Sequence, residues 1–395
     1  MHSKRILSID IFRGLTIFLM VFVNELAGVS GIPQWMKHVP AEANGMTFVD
    51  VVFPAFLFIV GMAIPFAVKN REEKGEGPLA FWQHVFTRTL GLLILGVYMV
   101  NSAEMNAEAS LISYSLWAAA LYIAAILIWN QYPKTEEPSK KILFRSLRLF
   151  GILILVILYF LFRKGDDGAL TGMTPSWWGI LGLIGWAYLL SVILYMVSNK
   201  NLVILASLFL LLRLFLLELS IDSNIIPSSL NMFKGQTGHI SHTLITLSGI
   251  LCSLLLRKGG MDQLPFVKIR NMLVLGILLA IAGYFALPFG GISKIKATPA
   301  WALYSAAICC FIFPLIYWLV DLKGIKSWAN FLKPAGENPL LTYILPPLVY
   351  AIFGYAFIPE MLSIGFLGIL RSLLFSLLIL AIAAWLTKKD IRLHL

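Results

Sequence analysis

The chain has 395 residues, of which 59% are hydrophobic and only 13% are charged, with a mean hydropathy of +0.84. A soluble protein of this length carries about twice that charged fraction, so the composition excludes an ordinary soluble fold. The net charge of +11 is then better explained by membrane topology than by nucleic-acid binding. We therefore expect a lipid bilayer, and no nucleic acid, among its partners.

Hydropathy predicts an all-α fold, a polytopic bundle of about 10–12 transmembrane helices, because about 20 apolar residues cross a bilayer as a helix. No internal repeat or soluble segment divides the chain, so one transmembrane domain is predicted over residues 1–395. The predicted spans are residues 6–26, 49–68, 84–101, 110–130, 143–162, 177–197, 202–217, 239–256, 272–289, 300–320, 339–357 and 364–386.

The first apolar run carries polar residues along one face. At about 100° per residue, Asp10, Arg13 and Asn24 fall in one stripe with Ile17 and Val21. The axial rise of about 21 Å puts Asp10 and Arg13 near one membrane surface and Asn24 near the other. Ionisable groups are costly in a membrane, which favours a functional role. The alternative is an Asp–Arg pair at the helix entrance and one polar contact between helices.

A polar loop follows, containing His38 between Pro33 and Pro40, and Asp50 opens the second run. Thr47 and Asp50 have the spacing of a capping box, in which the carboxylate also suits the helix dipole. Asp50 is therefore open to two interpretations, a helix cap or a partner of His38.

Loop charges predict the orientation, because basic residues concentrate on the cytoplasmic side. With a cytoplasmic N-terminus, about 21 basic residues face inward, and both termini are cytoplasmic. Six basic residues then face outward: Lys37, Arg163, Lys164, Lys234, Lys294 and Lys296. The same topology places Asn24, His38, Asp50, His239 and Lys294 on the outer side.

Two histidines, His239 and His242, open the eighth predicted span. An i, i+3 histidine pair suggests a metal only with a third ligand, and we expect no metal. Each histidine is also open to a structural role, His239 as an interfacial residue at a helix start and His242 as its partner.

The opposite, cytoplasmic end carries Asp10 and Arg13 at the entrance of the first span. Asn338 and Tyr343 enter the eleventh span from the same side. Basic residues surround this face and would attract an anionic cytosolic ligand. These four residues are the predicted cofactor-binding set.

Several of these segments resemble one protein family. They are residues 8–14 (SIDIFRG), 20–24 (MVFVN), 44–47 (NGMT) and 50–61 (DVVFPAFLFIVG), with weaker agreement at Gly238-His239, Ser293-Lys294, Thr298 and residues 336–340. Together they resemble the heparan-α-glucosaminide N-acetyltransferase family, and more narrowly its bacterial branch of inner-membrane proteins. The strong resemblance covers about the first 65 residues.

The resemblance implies an acyltransferase of the bacterial inner membrane. Acetyl-CoA would supply the acetyl group from the cytosol, and an amino sugar or glycan of the glucosamine type would accept it at the outer face. By position, Asn24 matches the family asparagine and His38 is the candidate active histidine. The family histidine usually stands five residues before the glycine of the Gly-x-Thr motif, whereas His38 stands seven before Gly45.

Histidine suits a general base near neutral pH, and Asn24 could donate to the thioester oxyanion. His38 could instead carry the acetyl group covalently, and the residues leave both routes open. Asp50 would assist catalysis, while His239, His242, Lys294 and Thr298 would bind the acceptor. A sugar transporter and a non-catalytic envelope protein are the alternatives, and a homodimer remains open.

Overall fold

The computed structural model describes residues 6–165, 169–221, 228–257, 264–354 and 359–394. Both termini, predicted to be cytoplasmic, lie outside the described residues. The helices within these ranges are α1 (Leu7–Leu26), α2 (Phe48–Glu73), α3 (Pro78–Ser102), α4 (Tyr114–Trp129), α5 (Pro138–Leu161), α6 (Ile180–Val197), α7 (Leu202–Ile221), α8 (Thr237–Arg257), α9 (Pro265–Ala286), α10 (Pro299–Tyr317), α11 (Lys333–Glu337), α12 (Pro339–Phe353) and α13 (Gly365–Lys388).

The protein is a polytopic helical membrane protein. Within the described residues, ten helices are long and apolar enough to cross a bilayer, and two shorter apolar ones are Tyr114–Trp129 and Pro339–Phe353. Each of the twelve predicted spans overlaps one of these helices, which confirms the predicted fold class. The helix α7 extends beyond the predicted span 202–217 and ends at Ile221.

The helices form two compact units, and α1, α3 and α6 contribute residues to both. The first unit comprises residues 1–16, 33–89 and 183–330. One of its closely packed pairs is α2 and α8, where two glycines allow close backbone approach. A Cβ on Gly61 would lie 1.9 Å from the carbonyl oxygen of Thr246, and a Cβ on Gly249 would lie 1.9 Å from that of Phe58.

Substitution of Gly61 tests this packing. We expect Gly61→Ala to destabilise the protein by more than about 3 kcal/mol, the upper range for overpacked cores, because its new methyl group meets backbone atoms. The variant should lose its monodisperse peak in size-exclusion chromatography or melt at a clearly lower temperature. Gly77→Ala is the matched control, since a Cβ there meets nothing within 4 Å. Equal melting temperatures for the two variants would contradict the close helix contact.

The second unit comprises residues 17–32, 90–182 and 331–395. In this unit, aromatic side chains of α3 and α4 form hydrogen bonds to the backbone of α5. The hydroxyl of Tyr98 donates to the carbonyl of Leu155 at 2.7 Å, and the indole N–H of Trp117 donates to that of Leu158 at 3.0 Å. These bonds satisfy polar atoms that are expensive to bury without a partner.

Candidate active site

Asp50 lies in the first turn of α2 and is only 1% exposed. Its Oδ2 accepts the backbone N–H of Thr47 at 3.0 Å and that of Val39 at 3.3 Å. Its Oδ1 lies 2.7 Å from Nδ1 of His38. Asp50 therefore fulfils both interpretations of the sequence, since one oxygen caps the helix and the other holds the histidine.

The Asp50 contact defines the useful nitrogen of His38. An ionised carboxylate only accepts hydrogen bonds, so the proton of a neutral His38 lies on Nδ1. Nε2 then carries the lone pair that can take a proton from a substrate. The imidazole is 36% exposed, so an acceptor can reach it. This is the arrangement of a histidine base oriented by a carboxylate.

Lys294, from the turn before α10, completes the cluster. Its Nζ lies 3.2 Å from both Nδ1 and Nε2 of His38. Because the proton on Nδ1 is directed at Asp50, Nε2 is the ring atom that can accept a hydrogen bond from the Lys294 ammonium. Lys294 therefore holds a positive charge at the Nε2 lone pair, and it must move aside when a substrate amine approaches that atom.

Two loops are joined to bring Lys294 to this place. The side-chain oxygen of Asn44 accepts the N–H of Ile292 at 2.7 Å, and the N–H of Gly45 donates to the carbonyl of Ile292 at 3.0 Å. Gly291 has a φ of +64°, and a Cβ there would lie 2.8 Å from the Asn44 side chain. Only glycine satisfies both demands without strain. The Asn44-Gly45 segment therefore positions Lys294 beside His38.

Burial lowers the pKa of Lys294, while the nearby Asp50 charge opposes that shift. Between the lowered pKa and the ordinary value of 10.5, the unfolded chain binds a proton that the folded chain does not. The burial penalty is thus fully present at lower pH and is relieved as the pH rises. We expect Lys294→Met to melt at a higher temperature than wild type near neutral pH, and the difference to shrink towards pH 10.5.

Thermal melting across this pH range measures the effect. Lys296→Met is the matched control, because the Lys296 side chain is 52% exposed and pairs with Glu42 at the surface, at 3.1 Å. Lys296→Met thus removes a lysine of the same loop without removing a buried ammonium. A constant difference for Lys294→Met would show that its ammonium is not held in a desolvated position.

Trp301 connects this cluster to α8. Its indole N–H donates to the backbone carbonyl of Asp50 at 3.2 Å, and its ring packs against the imidazole of His242 with centroids 5.5 Å apart. On the other side, His242 packs against Phe53, also at 5.5 Å. Nδ1 of His242 lies 2.5 Å from the carbonyl oxygen of Gly238. His242 is 4% exposed, which makes it a buried support of the site.

The other predicted acceptor residues lie in the same unit. The Nδ1 atom of His239 is buried without a hydrogen-bond partner among the described residues, and its ring meets Trp186 edge-on at 6.2 Å. Thr298 is the residue before α10, and its hydroxyl oxygen accepts the N–H of Ser293 at 3.0 Å. Thr298 thus stabilises the turn that carries Lys294. Binding of the acceptor by His239, His242, Lys294 and Thr298 stays a prediction.

The predicted donor-binding residues fall into both units. Asp10 and Arg13, in the first unit, form an ion pair at 3.3 Å and are each 24% exposed. In the second unit, Tyr343 is partly exposed and Asn338 is buried. The Asn338 amide bonds the hydroxyl of Thr387 and two backbone groups of the segment after α13. The polar atoms of Asn338 thus fix the segment that follows α13. The donor-binding role of Asp10, Arg13, Asn338 and Tyr343 stays a prediction.

Asn24 lies exposed on α1, in the second unit. Its neighbour Glu25 is buried, and the sequence interpretation did not single it out. Glu25 Oε2 accepts from the hydroxyl of Tyr350 at 2.5 Å and lies 3.7 Å from the guanidinium of Arg371. The signal was present in the sequence, as a glutamate and an arginine inside two apolar runs. Ion pairing explains how both are tolerated in a membrane segment.

The sequence interpretation also missed Asp321, at the end of the α10 span. Its two carboxylate oxygens accept the N–H groups of Leu7 at 3.0 Å and Ser8 at 2.9 Å. These N–H groups open α1, where helical partners are lacking. Asp321 therefore fixes the start of the helix that carries Asp10 and Arg13.

Among the described residues, ten long apolar helices and the His38–Asp50 contact define a helical membrane protein with a candidate acid–base site. The chain belongs to the family described as "Domain of unknown function (DUF5009)", which matches residues 5–236. It is 36% identical over 100 residues to the heparan-alpha-glucosaminide N-acetyltransferase of Mus musculus, and 36% identical over 98 residues to that of Homo sapiens. Each match covers 25% of this chain and 14% of the relative. These matches confirm the resemblance stated from the motifs.

Proposed function

We propose that the whole chain, as one acyltransferase domain, moves an acetyl group from acetyl-CoA to the amine of a glucosamine-type sugar. The observation that carries the proposal is the His38–Asp50 contact of 2.7 Å. It leaves Nε2 as a base within reach of solvent. The partial similarity to an N-acetyltransferase supports acetyl-CoA as the donor.

In this mechanism, the amine nitrogen attacks the carbonyl carbon of the thioester. His38 takes the proton that the amine releases, and Asp50 stabilises the resulting imidazolium. The new C–N bond forms as the C–S bond breaks, and the proton passes from His38 to the departing CoA sulfur. The Lys294 ammonium, 3.2 Å from the imidazole, is close enough to stabilise negative charge on the acetyl oxygen. The role of Asn24 as a donor to the oxyanion stays a prediction from the sequence.

The site is proposed to face outward in a bacterial inner membrane, with both termini in the cytoplasm. The supporting observation is the excess of basic residues in the loops assigned to the inner side. Acetyl-CoA, which is anionic, would be attracted to that basic side and to Arg13 at the entrance of α1. No metal participates in the proposed chemistry.

Purified protein tests the proposal through donor binding and product formation. Acetyl-CoA should raise the melting temperature, with weaker binding at high salt and in Arg13→Ala, because charge attraction to phosphates is screened over about 8 Å at physiological ionic strength. Mass spectrometry should detect N-acetylglucosamine from glucosamine and acetyl-CoA. An unchanged melting temperature at saturating acetyl-CoA, with no product, would contradict the proposed reaction.

A further inference from the structure

A cavity with charged residues in its wall lies in the first unit, at the end where α2 and α8 finish and α7 begins. Its volume is about 650 Å³. Three of its lining residues are basic, namely Lys69, Lys200 and Arg257. Glu72 is the acidic lining residue, so the wall carries a net positive charge. The distribution of basic residues assigns this end to the cytoplasm, opposite to His38.

The turn between α6 and α7 holds Lys200 at the cavity. Asn199 and Lys200 both have a positive φ, at 50° and 62°, a backbone region that non-glycine residues rarely adopt. Asn201 then caps α7, since its side-chain oxygen accepts the N–H of Val203 at 2.8 Å. The wall at Lys200 is thus built by a defined turn, and its ammonium pairs with Glu72.

Arg257 also lines the cavity and is held in place by uncharged groups. Its Nη1 donates to the carbonyl of Pro65 at 3.0 Å, and its guanidinium lies 5.4 Å from the ring centroid of Phe66. Neither contact neutralises the positive charge. Lys69 is 46% exposed and lies 3.5 Å from Glu73, a surface pair of the kind that contributes little energy. The side chains of Lys200 and Glu72 are likewise 37% and 48% exposed. Lys69 and Lys200 can therefore turn to an anion at small cost, next to the charge of Arg257.

We propose that this cavity binds a phosphate-bearing ligand. Lysine ammonium groups and arginine guanidinium groups are the usual partners of phosphate oxygens. Basic pockets between membrane helices on the cytoplasmic side suit the headgroups of anionic lipids. A soluble phosphate compound offers the same chemistry, so the experiment distinguishes the two sources.

Native mass spectrometry of the detergent-purified protein can count bound phosphatidylglycerol, with phosphatidylcholine as the zwitterionic comparison. Each basic residue near a membrane surface strengthens binding of anionic lipid by about five-fold. We therefore expect Lys69→Gln/Lys200→Gln to weaken phosphatidylglycerol binding by about 25-fold. The matched control is Lys140→Gln/Lys141→Gln, which removes two exposed lysines paired with Glu137 and Glu136 outside the cavity.

Glu72→Gln gives a change in the opposite direction. It leaves Lys200 without its carboxylate partner, so phosphate binding should become several-fold tighter. Binding of inorganic pyrophosphate, measured by competition, separates the two sources. Tighter pyrophosphate binding by wild type than by Lys69→Gln/Lys200→Gln identifies a soluble ligand. If only phosphatidylglycerol binding is weakened in this variant, the cavity is a lipid site. The proposal is overturned if the cavity and control variants lose binding equally, or if neither phosphate compound distinguishes wild type from Lys69→Gln/Lys200→Gln.

Discussion

Replacing His38 with alanine is expected to lower acetyl transfer by at least about 100-fold, since general-base catalysis contributes about 100- to 10,000-fold. The substitution removes Nε2, the atom proposed to take the proton of the amine. Acetyl-CoA should still bind, because the proposed donor entrance at Arg13 is untouched. Initial rates of product formation and the melting shift with acetyl-CoA measure these two effects separately.

His239→Ala is the comparison that tests the choice of base. His239 lies in the first turns of α8 and does not share the carboxylate of Asp50, so its loss should act mainly on the apparent affinity for the sugar. Near-normal transfer by His38→Ala together with complete loss in His239→Ala would place the base on α8. An acetylated His38 trapped by rapid quenching would favour the covalent route, whereas a ternary complex without it would favour direct transfer.

Asp50→Asn is expected to lower transfer by a similar factor, about 100- to 10,000-fold, although the side chain keeps its shape. The amide has one oxygen where the carboxylate has two. If that oxygen accepts the N–H groups of Thr47 and Val39, the NH₂ group faces Nδ1 of His38. The imidazole must then place its proton on Nε2, which can no longer act as a base.

Two comparisons separate this effect from a general loss of structure. Trp301→Phe removes the hydrogen bond to the Asp50 backbone but leaves the carboxylate in place, so its effect on rate should be much smaller. His38→Ala/Asp50→Asn should be no slower than His38→Ala alone, because residues that act as one unit are not additive. A multiplicative loss in the double variant would mean that Asp50 acts independently of His38.

The spans were predictable because each apolar run is about long enough to cross a bilayer as a helix, so its composition alone indicates a membrane segment. Helix ends were less predictable, since a helix need not stop where apolar residues stop. The α2 helix runs to Glu73, past the predicted end at residue 68, because charged residues such as Lys69 and Arg71 are tolerated once the chain leaves the membrane.

The sequence indicated His38, Asp50 and Lys294 as candidate site residues, but it did not indicate all of the contacts that join them. Spacing indicated Asp50 as a helix cap, and the structure adds His38 through a loop that folds back over 12 residues. Lys294 contacts the same ring although it lies 256 residues further along the chain. The hydrogen bonds between the loops at Asn44 and Ile292 bring it there. Contacts of this kind depend on which helices are neighbours in space, which periodicity does not encode.

Proteoliposomes containing trapped glucosamine test the central claim most directly. Acetyl-CoA is added only outside, and N-acetylglucosamine is then measured in the lumen. The proposed function predicts lumenal product that requires protein and is reduced at least about 100-fold by His38→Ala. Movement of labelled glucosamine without consumption of acetyl-CoA, or lumenal product that is unchanged in His38→Ala, would contradict transmembrane acetyl transfer at this site.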